Sequence, residues 1–60
     1  MKFTNLSRNL GSDLIKAIYS AAYRLEADEI VVNKSIYGRY ADVALFDGGN
    51  CIEWHYIVSL

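Results

Sequence analysis

Hydrophobic residues recur every three to four positions between residues 12 and 27, and this spacing predicts an amphipathic helix. Its apolar side is formed by Leu14, Ile18, Ala21, Ala22 and Leu25, with Ile15 at the flank. The opposite side is polar. Ser12 is the expected N-cap, because its hydroxyl can accept a hydrogen bond from a free backbone N–H of the first turn. We therefore expect a helix that packs its apolar side on another element.

From Glu29 onward the period changes to two, which is the spacing of side chains on one face of a β-strand. The expected strands cover residues 29–36, 39–46 and 51–59. Gly48 and Gly49 join the last two, since glycine suits the positive φ angles of hairpin turns. The pattern predicts one α+β domain over residues 1–60, with a helix packed on a three-stranded antiparallel meander. Whether residues 2–6 add a fourth short N-terminal strand stays open.

The hairpin turn decides which residues of the last two strands lie opposite each other. A loop of two residues or of four pairs Phe46 with Cys51 in either case. An uninterrupted ladder then gives the pairs Val43–Trp54 and Asp42–His55. This register places Trp54 centrally on the inner face, where we expect it beneath the helix against Ile18, Ala22 or Leu25.

The outer face of the predicted sheet carries more carboxylates than the net charge of −1 suggests. We expect no lysine or arginine on it. The residues predicted to bind a partner there are Glu29, Tyr40, Asp42, Phe46, Glu53 and His55, with Asp47 at the hairpin edge. Apolar area interspersed among acids is typical of a surface that binds another protein. An ordinary solvated sheet face is the alternative interpretation.

Two tyrosines of the helix, Tyr19 and Tyr23, lie four residues apart at the border of its apolar side. Packing at the edge of the core is one interpretation of this pair. The other is a second contact surface for a partner, because amphipathic aromatic rings are frequent at binding hot spots.

The sequence does not favour catalysis. Cys51 and His55 share a predicted face, but four residues along a strand separate them by about 13 Å, too far for a thiol–imidazole pair. Asp42 opposite His55 can orient an imidazole, yet no nucleophile is placed beyond the ring. One histidine and one cysteine fall short of the ligands of a zinc site. We expect no catalytic residue, no metal and no cofactor.

Direct binding of nucleic acid or of a membrane is also not expected. Base-stacking tyrosine platforms normally accompany a basic groove, whereas the predicted outer face is acidic. No apolar run approaches the roughly 20 residues of a membrane span, and the single Cys51 favours a reducing cytoplasm. Carboxylates on a rigid sheet can instead take the places of phosphates in a basic channel of another protein.

A compact domain of this size, with one helix on a small antiparallel sheet and a locally acidic surface, resembles the small anti-CRISPR proteins of phages. The resemblance is in overall design, and it carries no functional residue over by position. It implies a stoichiometric inhibitor that binds a CRISPR effector complex in a bacterial cytoplasm, as a monomer or weak homodimer, and obstructs DNA recognition. The alternative is a self-associating structural or regulatory module, because the last strand is long and apolar.

Overall fold

The computed structural model describes residues 1–7, 10–35 and 40–59, without the side chains of 55–57 and 59. Its elements are β1 (Lys2–Asn5), α1 (Ser12–Arg24), β2 (Glu29–Lys34), β3 (Tyr40–Asp47) and β4 (Asn50–Ser59). The four strands form one sheet in the order β1-β2-β3-β4. The predicted α+β fold is therefore confirmed, while residues 36–39, where the first predicted strand ends and the second begins, lie outside the described residues.

Helix α1 begins with a different cap from the one predicted. Gly11 is the N-cap, and Ser12 is already the first helical residue, so the prediction of Ser12 was wrong. The extended backbone of Gly11 presents its carbonyl to the N–H of Ile15 at 3.1 Å, which starts the helical hydrogen bonds one residue earlier. Asp13 in the first turn still places a negative charge beside the positive end of the helix dipole.

The helix ends three residues before the predicted position 27, at a Schellman motif. The N–H of Ala27 donates to the carbonyl of Ala22 at 2.8 Å, and the N–H of Glu26 donates to that of Tyr23 at 3.2 Å. Glu26 adopts a left-handed conformation with φ of +58°. Glycine usually occupies this position, so a glutamate there gave the sequence pattern no signal for the end of the helix.

The core lies between α1 and one face of the sheet. The predicted apolar side of the helix is confirmed, because Ile18, Ala21 and Ala22 are buried. The core cluster comprises Ile18, Ala21, Ala22, Ala27, Ile30, Val32, Ala41, Val43, Leu45 and Val58. Alternate residues of β2 and β3 thus point toward the helix, as the period of two requires.

Strand β1 answers the question that the sequence left open, since residues 2–5 do form a fourth strand. It runs parallel to β2, with Phe3 opposite Ile30, which makes the sheet mixed. Phe3 packs against the core. Parallel neighbours need a crossover connection, and α1 supplies it. The predicted antiparallel meander describes β2, β3 and β4 correctly.

The β3–β4 hairpin turns through Gly48 and Gly49, whose φ angles are +58° and +87°. Phe46 lies opposite Cys51, as predicted. A carboxylate oxygen of Asp28 accepts a hydrogen bond from the N–H of Gly48 at 3.0 Å. The N–H of Asp28 donates in turn to the carbonyl of Phe46 at 2.8 Å. The loop after α1 is therefore tied to the hairpin.

Beyond the turn, the predicted register was wrong. Val43 lies opposite Tyr56 rather than Trp54, and Asp42 lies opposite Ile57 rather than His55. Between the Phe46–Cys51 and Val43–Tyr56 pairs, β3 advances three residues while β4 advances five. Two register shifts take up this difference: Ile52 is one extra residue, and Trp54 and His55 together lie opposite Ala44. Both have the two-against-one arrangement of β-bulges, which an uninterrupted alternation does not predict.

Candidate protein-binding surface

The face of the sheet that α1 does not cover is called the open face below. Strand alternation and register assign to it Lys2, Thr4, Glu29, Val31, Asn33, Tyr40, Asp42, Ala44 and Phe46. Most of these residues are exposed or half-buried, and Ala44 is buried. Four of the predicted binding residues therefore do share one surface.

The carboxylates of the open face lie at its two ends. Glu29 is opposite Phe46, whereas Asp42 is opposite Asn33, four residues farther along β2. At about 3.3 Å per residue, this separates the two rows by about 13 Å. Both acids are half-buried, while Asp47 is exposed at the hairpin turn. The open face thus carries its negative charge at its two ends, with Val31 and Ala44 between them.

One positive charge joins these acids, which the sequence analysis did not predict. Lys2 pairs with Glu29 across the β1–β2 ladder, and its Nζ lies 3.8 Å from a carboxylate oxygen of Glu29. The prediction of a face without lysine was therefore wrong, because the fourth strand adds its own side chains. Exposed pairs of this kind contribute about 0–1 kcal/mol to stability. The pair mainly reduces the negative potential at the Glu29 end.

Glu53 was predicted on the open face, and the bulges change its place. An uninterrupted ladder would set it opposite Ala44 of the open face. The actual register sets it opposite Leu45, a core residue. Glu53 is half-buried in β4, between the two register shifts. It is therefore a carboxylate of the sheet edge.

His55 and Trp54 occupy the second bulge. The predicted pairing of His55 with Asp42 was wrong, and the His55 side chain lies outside the described residues. Trp54 was predicted to be buried beneath α1, but 55% of its surface is exposed. The same uninterrupted ladder would set Ile52 opposite Leu45 of the core, but Ile52 is 40% exposed. The bulges explain both corrections, since each extra residue breaks the alternation of inner and outer positions.

The tyrosines of α1 belong to a different surface. The ring of Tyr19 stacks on Phe3 with centroids 5.4 Å apart, at the β1 edge of the core. Tyr23 lies beyond it, with its ring centroid 6.3 Å from that of Tyr19, and is 68% exposed. Packing at the edge of the core therefore describes Tyr19, and Tyr23 extends this aromatic row into solvent.

The described part of the chain shows neither a pocket nor three metal-ligating side chains brought together. Cys51 is exposed, and its thiol donates to the carbonyl of Glu53 over 3.5 Å. Among the described residues, no helix combines the length and the apolar character that crossing a membrane requires.

Comparison with known proteins adds no relative. No family model, no curated protein and no solved structure matches this chain. Its binding chemistry therefore has to be inferred from the open face and from the exposed residues of β4.

Proposed function

We propose that this chain is a small stoichiometric inhibitor of a bacterial defence complex, of the anti-CRISPR kind. It binds a protein partner through the open face and obstructs recognition of DNA. The inhibitor acts in the cytoplasm of the bacterial host cell. It needs no cofactor and performs no catalysis, because occupation of the partner's site is sufficient.

The observation that supports this proposal is that the helix covers one face of the sheet and leaves the open face accessible. Helix α1 packs on the inner face only, so the open face keeps half-buried acids together with aromatic area. Tyr40 is 41% exposed next to Asp42, and Phe46 is half-buried near the hairpin turn. Aromatic anchors within a polar rim are characteristic of protein–protein interfaces.

The charge of the hairpin indicates the kind of partner. Residues 40–60 contain three carboxylates, from Asp42, Asp47 and Glu53, and no lysine or arginine. A partner surface of positive charge complements this segment, and such complementarity raises the association rate and disfavours other partners. Channels that hold nucleic acid are positive because they bind phosphates through lysine and arginine. Carboxylates accept the same charge-assisted hydrogen bonds.

Binding to a panel of purified CRISPR effector complexes tests the proposal. The test variant is Asp42→Lys, and the matched control is Lys16→Glu, which reverses an exposed charge on α1. We expect at least a tenfold loss of affinity for Asp42→Lys, no change for Lys16→Glu, and weaker binding of the parent chain as salt rises. Asp42→Asn keeps the side-chain shape and should show a smaller loss. Circular dichroism verifies that each variant is folded.

Parental affinity in folded Asp42→Lys would exclude the open face as the binding surface. If the parent chain bound none of the complexes in the panel, the proposed function itself would be refuted.

Self-association is the second candidate, and the place of β4 favours it. This strand of ten residues forms an edge of the sheet, where backbone groups are available for pairing with another chain. The two bulges oppose such pairing, because they interrupt a regular edge. Sedimentation equilibrium tests the module: a monomer over the whole concentration range would exclude it, whereas a tight dimer or a larger oligomer at micromolar concentration would support it.

A further inference from the structure

The two bulges of β4 turn the one tryptophan of the chain toward solvent. Without them, the register of the hairpin would continue from the Phe46–Cys51 pair and place Trp54 over the core. Bulges give up regular ladder pairing, and they frequently serve to redirect a side chain. An exposed tryptophan produced in this way is a strong candidate for a binding anchor, since tryptophan is enriched among interface hot spots.

The surroundings of Trp54 favour a cationic partner group. Trp54 lies opposite Ala44, and Asp42 is two residues from Ala44 on the same strand, about 7 Å along β3. Glu53 precedes Trp54 in the chain. The nearest charges along the hairpin are therefore negative, since residues 40–60 contain no lysine or arginine.

Arginine fits this site better than lysine does. The indole of tryptophan is the best side-chain acceptor of a cation–π interaction. A guanidinium is planar and weakly hydrated, so it can stack on the ring and still donate to a carboxylate with its edge. An ammonium is a strongly hydrated point charge and contacts less of the ring surface.

We propose that Trp54 is an anchor for an arginine side chain of the protein partner, whose guanidinium stacks on the exposed indole ring near the carboxylates of the hairpin. This inference rests on the proposed function in one respect, since the arginine belongs to the same basic partner surface. Trp54 thereby extends the binding surface from the open face to the edge of the sheet.

Titration of the intact chain with hexa-arginine and with hexa-lysine tests the anchor. Both peptides carry the same charge and no aromatic ring, so changes in tryptophan fluorescence come from Trp54 alone. We expect saturable quenching by hexa-arginine, with an affinity about two- to fivefold higher than that of hexa-lysine, the difference that one exposed cation–π contact supplies. Equal affinities for the two peptides would overturn the inference and leave only charge attraction.

Calorimetric titration of two variants with both peptides shows which residue causes the preference for hexa-arginine. Trp54→Leu should remove the preference for hexa-arginine while keeping the charge of the chain. Tyr23→Leu is the matched control, because Tyr23 is another exposed aromatic residue and belongs to the aromatic row of α1. This variant should keep the preference for hexa-arginine. A preference that survived in folded Trp54→Leu would assign it to another residue. If Trp54→Leu does not fold, equal affinities of the parent chain for the two peptides still overturn the inference, and Trp54→Phe replaces Trp54→Leu and should weaken the preference for hexa-arginine.

The same variants separate this inference from the proposed function. If Trp54→Leu binds an effector complex with parental affinity and Asp42→Lys does not, the anchor is excluded and the inhibitor proposal stands. If the parent chain prefers hexa-arginine, Trp54→Leu loses that preference and the parent chain binds no effector complex, the anchor stands and the inhibitor proposal fails.

Discussion

Replacing Trp54 with alanine measures how much this side chain contributes to the free energy of unfolding. The result distinguishes between two registers of the β3–β4 hairpin. In an uninterrupted register the indole lies beneath α1, where truncation of a buried tryptophan costs about 3–5 kcal/mol. A domain of 60 residues has about 3–9 kcal/mol of stability at about 0.05–0.15 kcal/mol per residue, so such a loss would unfold much of the population. In the structure, however, Trp54 is 55% exposed. Less than half of the full loss is then expected, about 1.5–2 kcal/mol.

Urea unfolding followed by far-ultraviolet circular dichroism measures this difference without relying on tryptophan emission. Ile30→Ala is the matched control, because Ile30 is fully buried at the centre of the inner face, and its truncation should cost about 2–5 kcal/mol. We expect Trp54→Ala to lower the midpoint less than Ile30→Ala, with an unchanged slope. A Trp54→Ala variant at least as unstable as Ile30→Ala would refute the bulged register.

Two further predictions concern the C-terminal end of α1 and the connection between the following loop and the hairpin. Glu26→Gly should raise the free energy of unfolding by about 1 kcal/mol, because φ of +58° strains a residue with a side chain and because the substitution removes a negative charge from the helix C-terminus. The melting temperature, measured by thermal unfolding, should rise by about 4–8 °C. A lower melting temperature would contradict the Schellman motif. Asp28→Ala should lower the free energy of unfolding by about 0.5–1.5 kcal/mol through loss of the hydrogen bond from Gly48, measured by urea unfolding, while an unchanged midpoint would show that the bond is not formed in solution.

Local patterns predicted the parts of the fold that depend on neighbouring residues. The spacing of Leu14, Ile18 and Leu25 defines the buried side of α1, and Gly48-Gly49 defines the hairpin turn, since each signal acts within a few residues. Strand β1 has only four residues and pairs with β2 across the whole helix, so no local pattern reports its partner.

The candidate surface was predictable only where the ladder is regular. Glu29 and Asp42 lie on the open face as expected, because β2 and β3 pair without interruption. Glu53 and Trp54 do not follow the prediction, since the register shifts in β4 depend on how the strand packs and no proline or interior glycine marks them. Lys2 was missed together with the pairing of β1.

Competition with target DNA tests the central claim most directly. A purified CRISPR effector complex that binds the chain is mixed with a fluorescent target duplex, and DNA binding is measured by anisotropy while the chain is added. The proposed inhibitor should abolish DNA binding with an end point at equimolar chain and complex, and Asp42→Lys should leave DNA binding intact. A complex that holds the chain and the target duplex at the same time, with unchanged affinity for the DNA, would contradict the account.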